Sequence, residues 1–199
     1  MMGRSTTADL IARGKNQNSY NNSGIETTGQ WVDGFNSALQ DLVSDINLTD
    51  NLSINFVTTQ NEYPLPADFF ELLELSDGFS WAVPKRRTYN YNYYNYNWFQ
   101  GYYILNRGSN YVIDLQNYNS NQTFNGIYIR YPVRLTVAGS QTEQPEVPTV
   151  GEDALIYYAI SKALRNNNQT GMAIEMERKY EVERRKIRDA AARTLVGGW

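Results

Sequence analysis

Residues 88–103 read TYNYNYYNYNWFQGYY, which places seven tyrosines, one tryptophan and one phenylalanine in sixteen residues with no charge among them. Such side chains stack, cover area and hydrogen-bond through hydroxyl and amide groups. They are poorly suited to acid or base catalysis. Tyr89, Tyr91 and Tyr93 share one parity with Asn90 and Asn92 between them, the two-residue period of a strand. After Tyr93 the parity slips. Tyr94 and Tyr96 take the other face, which marks a turn, a bulge or a strand aromatic on both sides, and Trp98 and Phe99 follow. A cross-strand aromatic ladder, a low-complexity polar tract and a contact surface all account for this composition.

The rest of the chain offers little other chemistry. It has no histidine, and so lacks the commonest general base, metal ligand and physiological pH switch, and it has no cysteine. The absence of cysteine fits assembly in a reducing compartment. Catalysis would have to come from paired carboxylates or a lysine. Glu175, Glu177, Glu181 and Glu183 sit at the spacings of a solvated helix face, and Glu71 and Glu74 flank leucines in a strand-like run. No glycine-rich phosphate or dinucleotide loop and no metal-ligand spacing occurs, so no cofactor is expected. Apolar runs are short and interrupted by Glu, which excludes a membrane-spanning helix, and the amino terminus lacks the apolar core of a signal peptide. Its opening Met-Met-Gly does not present glycine directly behind the initiator, as myristoylation requires. A net charge of −3 argues against general affinity for nucleic-acid backbones, although basic clusters stand at residues 85–87 and among acids at residues 178–188.

Several elements would have to position these residues. A short helix is expected at residues 7–15, then an amphipathic helix from Thr27 or Thr28 in which Trp31, Phe35, Leu39, Leu42, Val43 and Ile46 recur at spacings of three and four. Gly34 weakens that helix by about 1 kcal/mol relative to alanine. The period changes near Ser53. Short strands are expected at residues 54–58, 69–75, 79–83, the aromatic tract, 102–105, 111–115 and 127–133, with an extended turn at Tyr63-Pro64-Leu65-Pro66. Asp77-Gly78, Arg107-Gly108 and Asn125-Gly126 read as turns. A linker at 139–148 leads to a helix over 151–168 and a last helix over 170–195, with Met172, Met176, Tyr180, Ile187, Ala191 and Leu195 near one stripe and Glu175–Lys179 and Glu181–Arg185 as pairs four apart.

The fold class expected is α+β: a helical bundle built from the N-terminal helix and two C-terminal helices, with an inserted antiparallel β-module of five or six strands. Residues 1–26 would form a mobile N-terminal segment, 27–52 and 149–195 the bundle, 53–138 the β-module with its Tyr/Asn-rich loop or hairpin, and 196–199 a tail. That tail, Val196-Gly197-Gly198-Trp199, hangs a large aromatic on a diglycine tether; it is either frayed or an anchor for a pocket on a partner.

Three passages in this layout resemble one family. Residues 58–72, TTQNEYPLPADFFEL, are similar to the "T…Y-x-LP-x-DF" passage of head-to-tail adaptor proteins of tailed bacteriophages, the connector or tail tubular protein A-like group. IYIRYPVRL at 127–135 resembles its "Y-x-x-P-x-x-L" strand, and Glu146-Val147-Pro148 followed by Ile156-Tyr157-Tyr158-Ala159 its last helix entry. The likeness runs from Trp31 to about Ala192 in the same order of helix, sheet and helix pair, and the aromatic tract departs from it.

The resemblance implies a virion structural protein at the head-to-tail interface, assembled in the host cytoplasm, with no enzymatic activity. It would form a homo-oligomeric ring of about twelve copies that joins the portal protein to the tail tube, nozzle or tail fibre proteins, with double-stranded DNA only as passing cargo and no membrane partner. Tyr89, Tyr91, Tyr93, Tyr94, Tyr96, Trp98 and Phe99 are then expected at a neighbour or tail interface, and Arg185, Arg188, Leu195 and Trp199 at the portal. The main alternative is a glycan-binding module in which sugars stack on Tyr and Trp while Asn binds hydroxyls. Single-stranded nucleic acid on the same aromatics is a third reading, opposed by the scarcity of positive charge there.

Overall fold

The Thr27 hydroxyl accepts from the Gln30 N–H at 3.3 Å while the Gln30 side chain accepts from the Thr27 N–H at 2.9 Å, a reciprocal cap that starts helix α2, Thr28–Asp41. The computed structural model describes residues 4–17, 20–78, 83, 85, 100–108, 110–137 and 142–196, the side chains of 194–196 excepted. Contacts divide the chain into two compact units, Met1–Asn47 with Tyr131–Trp199, and Leu48–Arg130. The fold is α+β, with helices from both ends of the chain and antiparallel strands between them.

The first unit contains α1 (Thr7–Lys15), α2, α3 (Val43–Ile46), α4 (Glu152–Asn166) and α5 (Thr170–Val196). The single helix expected through Ile46 breaks at Leu42, and α3 ends at Asn47 in the left-handed region at φ 60°. The break turns Val43, Asp45 and Ile46 all into the interior, where α3 meets α5. Trp31 and Phe35 of α2 are fully buried, as are Leu155, Ile156, Ile160 and Leu164 of α4. Gly34 is more than a weak point: a Cβ there would stand 2.6 Å from the Ala159 Cβ, so the missing side chain is what lets α2 approach α4. Asn168, at φ 59°, turns α4 back into α5, which buries Ala173, Met176, Tyr180 and Ile187. Met172, expected on that stripe, stays 37% exposed and Ala173 takes its place.

α1 is docked, with Leu10 and Ile11 buried and contacts to α4. Residues 131–137 run without regular structure, and Asn36 of α2 serves them as a strand would: its amide donates to the Leu135 carbonyl at 3.0 Å and accepts from the Leu135 N–H at 2.8 Å. The strand expected to reach Val133 thus ends at Arg130, because Pro132 has no N–H to continue a ladder.

The second unit has six strands: β1 (Thr49–Phe56), β2 (Glu62–Pro64), β3 (Phe69–Ser76), β4 (Gly101–Arg107), β5 (Asn110–Gln116) and β6 (Gln122–Arg130). They form two three-stranded antiparallel sheets, ordered β1-β6-β3 and β2-β5-β4, and not one continuous sheet. One core joins them, with Phe56, Leu75 and Phe124 from the first and Tyr63, Tyr102, Ile113 and Leu115 from the second. Phe124 meets Phe56 and Tyr118 edge-on at 5.9 and 4.7 Å between ring centroids, and Phe69 stacks on Tyr128 at 5.8 Å.

Gly108 at φ 78° turns β4 into β5, and Gly78 at φ 81° follows β3. Asn125-Gly126, expected as a turn, lies inside β6. A Cβ on Gly126 would stand 2.5 Å from the Glu74 carbonyl oxygen, so this glycine serves close strand approach. The Tyr63-Pro64 turn is itself the short strand β2, and the Tyr63 hydroxyl pins the preceding loop by accepting from the Val57 N–H at 2.8 Å and donating to the Gln60 carbonyl at 2.9 Å.

Candidate interaction surfaces

The aromatic tract is anchored at its carboxyl end. Tyr102 on β4 is only 4% exposed and belongs to the core of the second unit, where burial raises its phenol above the ordinary range. For Tyr102 the packing explanation holds. Lys85 bridges to Tyr102 in parallel, and the Val83 N–H donates to the Leu75 carbonyl at 2.7 Å. Tyr89, Tyr91, Tyr93, Tyr94, Tyr96, Trp98 and Phe99, and the expected strand at residues 79–83 apart from Val83, lie outside the described residues. Trp199 does too, and Leu195 is described only as backbone in α5.

The basic cluster of α5 divides into two sets. One set is spent internally. Asp45 of α3 accepts from Arg184 Nε at 2.5 Å and from Arg188 Nε at 2.9 Å, and Asp41 of α2 accepts from Arg184 Nη1 at 3.3 Å and from the Tyr180 hydroxyl. Burial, reinforced by the Asp41 hydrogen bond, raises the Tyr180 phenol far above its usual range. Arg165 of α4 forks onto Glu177 and holds its carboxyl below the usual range, and Lys179 meets Glu175 at 2.9 Å as expected. Arg188, expected at the portal, pairs with Asp45 of α3 while its side chain stays 61% exposed. Asp41 and Asp45 escaped the sequence reading, although their spacing of four matches that of Arg184 and Arg188.

The other set points outward. Arg178 and Arg185 are exposed and have no ion pair among the described residues. The expected Glu181–Arg185 pair does not form, and Glu181 instead lies 3.8 Å from Arg184. Ile174, 41% exposed, and Val182, 53% exposed, share the outward stripe with the two arginines.

The outer face of the first sheet offers the opposite charge. A bulge between Leu72 and Glu74 lets β3 turn Glu71 and Glu74 to the same side, both exposed and without an ion pair among the described residues. Leu73, 50% exposed, stands between them, and Ile127, 39% exposed, is the cross-strand partner of Glu74. Both carboxylates are exposed to water, which makes the acid and base roles considered for them physically unattractive.

Polar latches close the first unit. Glu152, only 3% exposed at the start of α4, accepts from the Ser5 N–H at 2.9 Å, from its hydroxyl at 2.5 Å and from Arg13 at 3.3 Å, while Arg13 also pairs with Asp153. Thr7 donates from its N–H and its hydroxyl to the Glu143 carbonyl, both at 2.8 Å, and the Glu143 carboxylate accepts from Thr136 twice at 2.7 Å. A cleft of about 240 Å³ opens between α2 and the carboxyl-terminal half of α4, lined by Gln30, Asp33, Lys162 and Asn166 among others, with Lys162 bonded to Ser37 at 3.0 Å. Among the described residues there is no acidic cluster that could hold a metal ion, and no helix is long and apolar enough to cross a membrane.

Comparison with known proteins adds one finding. The family model described as SU10 adaptor protein matches residues 5–197. No curated protein matches the chain.

Proposed function

The chain belongs to the SU10 adaptor protein family, and we propose that it is the head-to-tail adaptor of a tailed bacteriophage: a ring of about twelve copies that joins the portal to the tail and lets genome DNA pass. The observation that carries this reading is the family match over residues 5–197, which spans both units. The protein then works as a structural part of the virion, assembled in the host cytoplasm. Its chemistry supports a scaffold role: Asp41, Asp45, Glu152 and Glu177 are engaged in holding helices together, and Glu71 and Glu74 stand exposed.

The portal contact is assigned to the end of α5 and the residues beyond it, Leu195 and Trp199, because Arg188 is already held by Asp45. The aromatic tract, Tyr89 to Phe99, is assigned to the neighbouring subunit or to tail proteins. Aromatic side chains cover wide area with only two torsions to freeze, and their hydroxyls tolerate a wet rim. DNA passage suits a chain of net charge −3, because strong phosphate binding would retard it.

Mass photometry and negative-stain microscopy of the chain, with and without portal rings, test the reading. Rings near twelve subunits or decorated portals are expected, and a monomer indifferent to portal would overturn it. Removing residues 196–199 should abolish portal capture. Replacing Tyr91, Tyr93, Tyr94 and Tyr96 with Ser should impair assembly with the neighbour or the tail.

A further inference from the structure

Most charges of α5 are matched within the first unit; among the described residues Arg178, Arg185 and Arg193 are exposed arginines without an ion pair, and Arg178 and Arg185 stand on one stripe with Val182 between them. On β3 the arrangement is mirrored in opposite charge: Glu71 and Glu74 stand to either side of exposed Leu73. We infer that the outward stripe of α5 in one copy docks on the outward face of β3 and β6 in the next, with Arg178 and Arg185 against Glu71 and Glu74 around a contact of Val182 with Leu73 and Ile127. This rests on the ring reading and supplies the pair of surfaces that would build it.

Spacing supports the pairing. Seven residues of helix separate the two arginines by about 10 Å. Three residues of strand separate the two glutamates by about 10 Å, shortened somewhat by the bulge. Guanidinium side chains reach several ångströms and grip carboxylates through two parallel N–H groups, which absorbs the residual mismatch. Glu181 and Asp189 adjoin the arginine stripe, so like charge would repel the glutamates if the helix docked rotated by one stripe. That fixes the rotation of α5 on the sheet.

The two surfaces differ, and each copy carries one of each. Such a contact is heterologous: it leaves an open donor on one side and an open acceptor on the other until a ring closes. No other protein is needed to supply the acids, since the chain itself presents two carboxylates without an ion pair among the described residues, at the required separation and with an apolar residue between them.

The test uses the full chain, with mass photometry across a concentration series, with and without portal rings. Arg178→Glu with Arg185→Glu, and Glu71→Lys with Glu74→Lys, should each raise the concentration for half-assembly at least about tenfold, and the four changes together should restore it. Circular dichroism establishes that each variant keeps its helices, and Val182→Asp provides an independent variant with the same expected loss. Wild-type rings unaffected by either double variant, or a quadruple variant no better than the doubles, would overturn the inference and leave the ring reading standing. Unchanged self-association with lost portal capture in the arginine variant would also overturn it and assign the arginines to the portal. A wild-type chain that stays monomeric with portal present would overturn both.

Discussion

Both units bury an apolar core, and they differ in what is added to it. In the first, polar groups hold the pieces: Asp45 gathers Arg184 and Arg188 from α5, Glu152 gathers Ser5 and Arg13, and Arg165 grips Glu177. In the second, rings do it, with Phe56, Tyr63, Tyr118 and Phe124 in mutual contact and the charges mostly outside. Helices present long side chains that can reach across to one another, whereas facing sheets bring short alternating rows together and need bulk to fill the gap. The first unit should therefore respond to acid and the second to loss of volume.

Phe124→Ala should have the largest effect, about 3–5 kcal/mol, because its ring is fully buried among Phe56 and Tyr118. Hydrogen exchange should show lost protection in β1, β3 and β6 while α4 and α5 keep theirs; equal loss in both units would break the contrast. Asp45→Ala should cost about 1–3 kcal/mol, less than a fully buried pair would, because Arg184 and Arg188 are 23% and 61% exposed and regain water. Faster exchange confined to α3 and the second half of α5 would confirm it.

Gly34→Ala should destabilise the first unit by about 1 kcal/mol net, the crowding against Ala159 outweighing the gain in helix propensity. Gly29→Ala in the same helix meets only Thr27 Oγ1 at 3.8 Å and should not destabilise. Thermal melts of the two variants compare them directly, and equal melting temperatures would remove close packing as the reason for Gly34.

The smallest effect is in pH, and its sign should differ between the units. The carboxyls of Glu177, Asp9 and Glu143, all in the first unit, are held below the usual pKa range chiefly by hydrogen bonds from Arg165, Thr6 and Thr136. Their contribution is present above the unfolded values and is lost as pH falls through the folded ones. Asp114, in the second unit, is raised by burial, so its contribution grows as pH falls through its raised folded value and is lost as pH rises through it. Acidifying from neutrality to about pH 3 should thus loosen the first unit relative to the second, as exchange rates resolved by unit would show.

Local periodicity made much of this legible. Helix α1 was read residue for residue, the Thr27 cap, the β4–β5 turn and the Asn-rich end of α4 were found, and the α+β class with an inserted module follows from their order. What escaped depends on distance in sequence. The split into two sheets is decided by which strands pair, and β6 pairs with β1 and β3 across long separations. Gly126 looked like a turn because its reason is a carbonyl on β3. The partner of Arg188 lies on α3, far off in sequence, and bringing Glu71 and Glu74 to one side takes a bulge that no propensity scale encodes.

β1 and β6 pair from Phe56↔Gln122 back to Thr49↔Ile129, and the Arg130 N–H then donates to the Leu48 carbonyl at 2.9 Å. The halves of the helical unit are thus delivered side by side by a module whose own pairing closes the gap between them. During synthesis the first helices must wait on the order of ten seconds for α4 and α5 to be translated. Once β1 and β6 have zipped, Leu48 and Arg130 are a single hydrogen bond apart, so much of the chain entropy of joining those halves has already been spent.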